Sequence, residues 1–336
     1  MLEKERDLYN SQRLGKYRLP VIKSINHLLE LLDISGREDF FFYSGHRKQL
    51  YQRFFIEKKN GGKRMIEAPV EELKNIQKAI DSVFFRHFEL SSSCCAYRKQ
   101  MSIVNNALPH LGAKTLLKFD ISDFFPTITL KNIYYLFRYY GYGKNVAKYL
   151  GFLCVNSDCV LPQGAPTSPM ISNLICVKLD ARINGFCKNT KNKYDLSYTR
   201  YADDITISSK RRLSLNEIHF VKMMINNIVA DEGFSPNNKK FKCFHVGQKM
   251  MVTGINVNSS DRLHVDKNRV REVEIAIHCI KKFGLRSHLE YLKRMKGYLW
   301  DKTQYEKHIF GMAFYIKMID AKLGIRLIKK LRELFE

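Results

Sequence analysis

Hydrophobic and polar positions change rhythm along the chain. Near the N-terminus apolar residues recur at helical spacing: Ile25, Leu28, Leu29, Leu31 and Leu32 form one stripe, and Val70 to Phe88 carries another. Between them FFIEKKNGGKRMIEA, Phe54 to Ala68, predicts a β-hairpin turning at Lys-Asn-Gly-Gly-Lys. Strands and helices then alternate. KTLLKFDIS, Lys114 to Ser122, predicts a largely buried strand, and Leu130 to Tyr140 an aromatic-rich helix. Ser168-Pro169 sets a hydroxyl cap before a first-turn proline, predicting a helix from Pro169 to about Gly185 that buries Ile171, Leu174, Ile175 and Leu179. SYTRYADDITISS, Ser197 to Ser209, alternates on both sides of Ala202-Asp203-Asp204, as a hairpin with an acidic tip does. Ser214-Leu215-Asn216-Glu217 is a capping box for a helix ending at Gly233. Two more strands are expected, around Lys242 to Val246 and Met250 to Val257. From Asp266 onward the pattern is helical. The expected fold class is α+β, with a separate helical domain at the end.

Composition adds a polyanion to this picture. The 336 residues are 45% hydrophobic and 27% charged, enough to bury a core. They carry 57 Lys and Arg against 33 Asp and Glu, a formal net charge of +24 that favours nucleic acid as a partner. The segment Asp266 to Glu336 holds 17 Lys and Arg against 9 Asp and Glu. Its aromatic and basic residues interleave at Tyr291, Lys293, Arg294, Lys296, Tyr298 and Trp300, which suits nucleic-acid contact as well as plain solvation. No apolar run reaches the roughly 18 residues a membrane span needs. The charged start MLEKERDLYN lacks the apolar centre of a secretory signal, so a cytoplasmic protein without membrane contact is expected. The eight cysteines form no C-x-x-C pair and predict reduced, buried thiols rather than disulfides or a zinc site.

Two acidic sites stand out on this basic chain. Asp120 and Asp123 end the first core strand in LKFDISDFFPTI, and Asp203-Asp204 tip the hairpin in YADD. Adjacent carboxylates repel and are costly unless a cation neutralises them. Hard oxygen ligands suit Mg²⁺. If the strand ending at Asp120 pairs beside the hairpin, three carboxylates meet at one sheet edge, where two ions would fit. Taken alone, Asp-Asp is also ordinary β-turn chemistry. LPQGAPTSPMISNL, Leu161 to Leu174, adds a Pro- and Gly-fixed backbone entering a capped helix, with Gln163 and Gly164 placed to lie against a nucleotide or template base.

In this order and spacing, from about Lys63 to Val257, these blocks resemble the reverse transcriptases. The resemblance implies a right-hand polymerase. Residues 1–113 would hold N-terminal helices and fingers, 114–265 a palm with an antiparallel sheet (and part of the fingers at about 141–165), and 266–336 a helical, basic, RNA-binding thumb. Asp120, Asp203 and Asp204 would be the catalytic triad holding two Mg²⁺, with the backbone carbonyl of Ile121 contributing. Phe125 falls where the family places the ring that excludes a ribose 2′-hydroxyl, with Phe124 beside it as the alternative. Arg64, helped by Lys63, would grip the incoming triphosphate. Lys239 or Lys240 would lie near the leaving pyrophosphate. Tyr201, Arg98 and Gln163 would make secondary template or nucleotide contacts.

Asn106-Ala107-Leu108-Pro109-His110 fits an N-A-x-x-H pattern and Val252-Thr253-Gly254 a V-T-G pattern. Both resemble bacterial retron reverse transcriptases. This closer resemblance implies an enzyme that binds its cognate non-coding RNA, primes from a guanosine 2′-hydroxyl and extends with dNTPs. The product would be branched single-stranded msDNA, made alongside an effector protein in anti-phage defence. Asn106, His110, Lys293, Arg294 and Lys296 are the expected RNA contacts. After the thumb-like helices the chain is expected to hold no maturase, RNase H or endonuclease domain. The competing readings are a group II intron-like or diversity-generating reverse transcriptase, and a non-catalytic RNA-binding scaffold for an effector.

Overall fold

The computed structural model describes residues 9–34, 48–57, 61–85 and 88–335. Its first hairpin pairs β1 (Tyr51–Glu57) with β2 (Lys63–Pro69), in register from Tyr51 opposite Pro69 to Glu57 opposite Lys63. The turn residues Lys58, Lys59 and Asn60 lie outside the described residues.

The main sheet is built around β3 (Thr115–Ser122), whose apolar and β-branched residues are buried almost throughout. In chain order the other strands are β4 (Leu196–Tyr201), β5 (Asp204–Ser209), β6 (Ser235–Pro236) and β7 (Lys242–His245). β5 pairs along one edge of β3, and β4 extends the sheet beyond it. The other edge of β3 is shared: β7 covers its N-terminal half and β6 its C-terminal end. A single 3₁₀ turn, Asn238–Lys240, separates β6 from β7 and interrupts the ladder beside Asp120.

The helix expected from Pro169 to Gly185 is two helices, Ser168–Ile175 and Val177–Asn189. They meet at Cys176, whose ψ of 1° takes it out of helical geometry. Past this break Asp180 is buried against β4, where it meets Arg200. The capping box at Ser214 opens the helix Leu215–Asp231, and Gly233 follows it at φ +83°. The strand expected over Met250 to Val257 folds back on itself as β8 (Met251–Val252) and β9 (Ile255–Asn256), joined on the far side by β10 (His264–Val265). Thr253 and Gly254 form the two-residue turn with φ of +45° and +83°, the left-handed pair that tight hairpins need.

One apolar core runs from Leu14 to Phe234, so the N-terminal helices and the main sheet share it. A small cluster of Leu116, Met250, Val252 and Ile255 lies under β8 and β9. The C-terminal helices Lys267–Lys296, Lys302–Ile319 and Ala321–Phe335 have their own core, including Val273, Tyr305, Ile309 and Leu331. The longest of them breaks at Gly284, with φ +81° and ψ 157°. No helix among the described residues is long and apolar enough to cross a membrane. All eight cysteines are free thiols.

Candidate active site

The register of the sheet assembles the acidic groups. Asp120 stands directly opposite Asp204 on the neighbouring strand. Ala202 and Asp203 make the two-residue turn between β4 and β5, and the Asp203 carbonyl accepts the Ile121 N–H at 3.2 Å. The turn is thereby fastened to the end of β3. Burial, and then the neighbouring carboxylates of Asp204 and Asp120, push the Asp203 carboxyl above its usual range. Asp204 is raised by burial and by Asp120, against the opposing pull of Lys118 and Lys240.

Asp120 is 8% exposed and is held by two donors across the gap between β6 and β7. Asn237 Nδ2 donates to its Oδ1 at 2.9 Å, and Lys240 Nζ to its Oδ2 at 2.9 Å. Of the two lysines, Lys240 is the one that reaches this carboxylate. Lys239 does not line the cavity, because successive residues of a 3₁₀ turn project about 120° apart.

A cavity of about 530 Å³ opens over these groups. Asp120, Ile121, Asp123 and Asp203 line one side, Lys63 and Arg64 of β2 another, with Phe125, Gln163 and Tyr97 closing in. The β1–β2 hairpin is tied down to make this wall. Glu67 accepts from Arg53 at 2.8 Å and from Asn156 at 2.7 Å, and its N–H donates to the Gln163 carbonyl at 2.9 Å. Gly164 serves this contact rather than a base: a Cβ there would lie 2.7 Å from the Glu67 carbonyl oxygen, and its φ is +143°. Phe124 and Phe125 meet edge to face at 5.4 Å. Both are largely buried and both reach the cavity wall.

Several known proteins are similar to this chain. Residues 56–292 match the family model of the reverse transcriptase, an RNA-dependent DNA polymerase. The retron Ec86 reverse transcriptase of Escherichia coli is 30% identical, over 98% of this chain and 95% of that one. The chain belongs to the retron reverse transcriptases. The retron Mx65 enzyme of Myxococcus xanthus is 28% identical over 97% of this chain and 75% of its own length. The retron Ec73 enzyme of E. coli is 32% identical over 83% and 86%. Among solved structures, telomerase from Candida albicans is similar with a TM-score of 0.45 and 10% identity, over 84% of this chain and 63% of that one.

This reverse transcriptase is thus an RNA-directed DNA polymerase, a family that works with divalent metal ions. The donor set fits such an ion: hard carboxylate oxygens, two of them on groups whose affinity for a proton is raised by burial and mutual repulsion. Among the described residues these side chains are not already gathered into a coordination shell. The Lys240 ammonium sits on Asp120 where positive charge is needed.

A buried network under the turn escaped the sequence reading. Arg200 Nε and Nη2 donate to the two oxygens of Asp180 at 2.7 and 2.8 Å, and the Tyr198 hydroxyl donates to the same carboxylate at 2.6 Å. Arg200 Nη1 donates to the Ala202 carbonyl at 3.1 Å and to Asn173 Oδ1 at 3.2 Å. One guanidinium thus joins the Ala202-Asp203 turn to both helices after LPQGAP. The ordinary signal for it was an Arg in strand alternation before YADD, which reads as surface charge. Tyr97 and Asn237 were also missed. Asn237 stood beside the lysines in SPNNKKFK, whereas nothing in CCAYRKQ pointed to the cavity.

Three expected contacts are corrected. His110 is fully buried, with Nδ1 2.7 Å from Ser208 Oγ and Nε2 2.8 Å from Thr199 Oγ1. Asn106 is buried too, its Nδ2 donating to Thr253 Oγ1 at 3.4 Å. Neither faces RNA. The N-A-x-x-H and V-T-G motifs touch each other and brace the sheet, and Tyr315 of the C-terminal helices donates to the Gly254 carbonyl at 3.1 Å. Arg98 is also structural, donating to the Ser91 and Cys94 carbonyls at 2.7 and 3.0 Å. Tyr201 is half-buried opposite Asp204, with its ring 6.5 Å from Tyr97. Lys293 and Arg294 stand exposed on the long helix, while the Lys296 side chain lies outside the described residues.

Proposed function

We propose that this enzyme copies part of a cognate non-coding RNA into branched single-stranded msDNA, starting from the 2′-hydroxyl of a guanosine. The observation that carries the reading is the near end-to-end match to a retron enzyme, together with Asp120 standing opposite Asp204 beside a cavity that Asp120 and Asp203 line with Lys63, Arg64 and Lys240. Two Mg²⁺ ions would be held by Asp120, Asp203 and Asp204, with the Ile121 carbonyl beside them. When bound, they supply an activated hydroxyl and charge neutralisation at the leaving oxygen.

The chain's own residues account for the rest. Arg64 and Lys63, on the wall facing the carboxylates, would take the negative charge of an incoming dNTP. Lys240 lies where pyrophosphate leaves, and a cation there stabilises the departing charge. Phe125 fills the space a ribose 2′-hydroxyl would need, which selects deoxynucleotides by exclusion. Gln163 would meet the nucleotide from the loop side. Lys293, Arg294 and Lys296 would hold the RNA through phosphates and shape. The enzyme would work in the cytoplasm, beside an effector protein in anti-phage defence.

The test is to express the chain with the genomic segment beside its gene and purify the bound nucleic acid. The expected result is one discrete DNA species whose mobility shifts after 2′–5′ debranching. Unbranched DNA would refute 2′-hydroxyl priming. RNA without DNA, with Mg²⁺ and dNTPs supplied, would favour a scaffold.

A further inference from the structure

A second cavity, of about 610 Å³, lies between the helices Leu130–Tyr140 and Lys144–Cys154, and nothing in the polymerisation chemistry above uses it. Its walls combine aromatic rings and cations: Tyr134, Tyr135 and Phe152 with Lys131, Lys144 and Lys148. Tyr135 is 57% exposed, and Lys148 Nζ lies 5.7 Å from the centre of the Phe152 ring. The acid on the rim, Asp158, already pairs with Arg53 at 3.1 Å. Among the described residues none of the three lysines is in an ion pair.

This cavity is next to the catalytic one. Thr129 and Val160 form an isolated bridge, extended by bonds from Leu130 N–H to the Cys159 carbonyl and from Leu161 N–H to the Ile128 carbonyl, both 2.8 Å. Thr129, Leu130, Cys159 and Val160 line the second cavity. Phe125, Pro126 and Leu161, at the other end of the same two segments, line the first.

We propose that this cavity takes one unstacked nucleotide from the single-stranded part of the RNA template, its base against Tyr135 and its phosphates against Lys131, Lys144 and Lys148. The inference rests on the template-copying reading of the first cavity. Exposed rings beside lysines suit single strands, because every free base has a face to stack. A duplex keeps its bases stacked and cannot offer one. An acidic protein segment would meet the same charges, but the shared bridge to the catalytic cavity favours the strand being copied.

The experiment measures equilibrium binding of two RNA–DNA duplexes without dNTPs, one blunt and one with a single-stranded RNA template overhang carrying 2-aminopurine. Tyr135→Ala should weaken binding of the overhang duplex by about tenfold, the size of one base–aromatic stack, without changing its salt slope. Lys144→Gln with Lys148→Gln should lower that salt slope by about 1.4, the loss of two single-strand phosphate contacts. Blunt-duplex affinity should stay the same in both variants, and 2-aminopurine emission should be quenched only when Tyr135 is present. Unchanged overhang binding and quenching in both variants overturns the proposal and leaves the cavity to an acidic protein segment. Equal weakening of both duplexes overturns it as well. If the unaltered chain binds neither duplex, the template-copying reading fails first, which separates the two failures.

Discussion

The acidic turn at Ala202-Asp203 and the C-terminal segment use burial in opposite ways. Beneath the turn, charged and polar side chains are sealed in: Arg200 is 0% exposed, and Asp180 and His110 are buried with it. In the C-terminal segment large apolar side chains face outward: Phe283, Tyr291 and Met295 on the long helix and Leu299 in the connection after it are all exposed, Leu299 to 76%. Buried polar groups are costly unless every partner is supplied, and when supplied they admit one arrangement. Exposed apolar groups in a run mark a surface made to be covered. The sheet is therefore held in one arrangement by its own side chains, whereas the C-terminal segment leaves apolar surface open. Substitutions under the turn should act on the chemical step, and substitutions on the helices should act on affinity.

The largest effect is expected at the turn itself. Asp203→Asn should lower DNA synthesis by at least about a thousandfold, since charge stabilisation at the reacting oxygens is the main catalytic contribution. RNA affinity should not change. Metal-free stability should rise slightly at pH 7. A carboxyl whose folded pKa is raised costs stability above that pKa, and the cost disappears as pH falls through it. Asparagine removes the cost at every pH. A lowered melting temperature would show that the Asp203 charge holds the fold and would blur the comparison.

Arg200→Lys comes next. Removing a buried charge outright costs about 3–5 kcal/mol and would unfold the answer along with the question. Lysine keeps a charge for Asp180 but lacks the fork that also reaches the Ala202 carbonyl. The expected result is a kcat lowered by about 10–100-fold, a KM for dNTP within about twofold, and native RNA binding. A fall in active fraction with normal kcat per folded molecule would make Arg200 a stability residue only.

On the helices the effect should be smaller and of another kind. Lys293→Gln with Arg294→Gln should reduce the salt slope of RNA binding by about 1.4 to 1.8, and leave kcat at saturating RNA unchanged. An altered kcat would mean that these helices set the geometry of the turn, and the contrast drawn above would fall.

How much of this was legible depends on range. The capping box at Ser214, the hairpin around Ala202-Asp203 and the burial of β3 follow from neighbours in sequence, and they were readable. The acidic pairing was readable as a condition, because alternation gives which residues share a face but not which strand lies alongside. The break at Cys176 was not readable: no Gly or Pro marks it, and what it accomplishes is the burial of Asp180 against Arg200, 20 residues on. Asn106 and His110 went wrong for the same reason. A short motif of polar residues reads as exposed until Thr199 and Ser208 on β4 and β5, and Thr253 in the β8–β9 turn, arrive to hydrogen-bond it.

That last assignment gives the smallest effect on activity and a clean pH signature in stability. Burial, helped by the Lys210 charge, pulls the His110 pKa down to about 3, while in the unfolded chain it stands near the ordinary value of about 6.5. Between those values the unfolded chain holds a proton that the native protein refuses. The contribution is therefore complete above about pH 6.5 and is lost progressively as pH falls toward 3, by about 2–3 kcal/mol at pH 4.5. His110→Gln should be less stable than the unaltered chain at pH 7, because it breaks the bridge between Thr199 and Ser208. The gap should then narrow steadily as urea midpoints are measured down to pH 4.5. A gap that stays constant would mean that His110 titrates normally in the native protein, which requires solvent at the ring. The N-A-x-x-H motif would then be open to RNA after all, and the boundary between the sealed sheet and the surface left for a partner would move inward to include it.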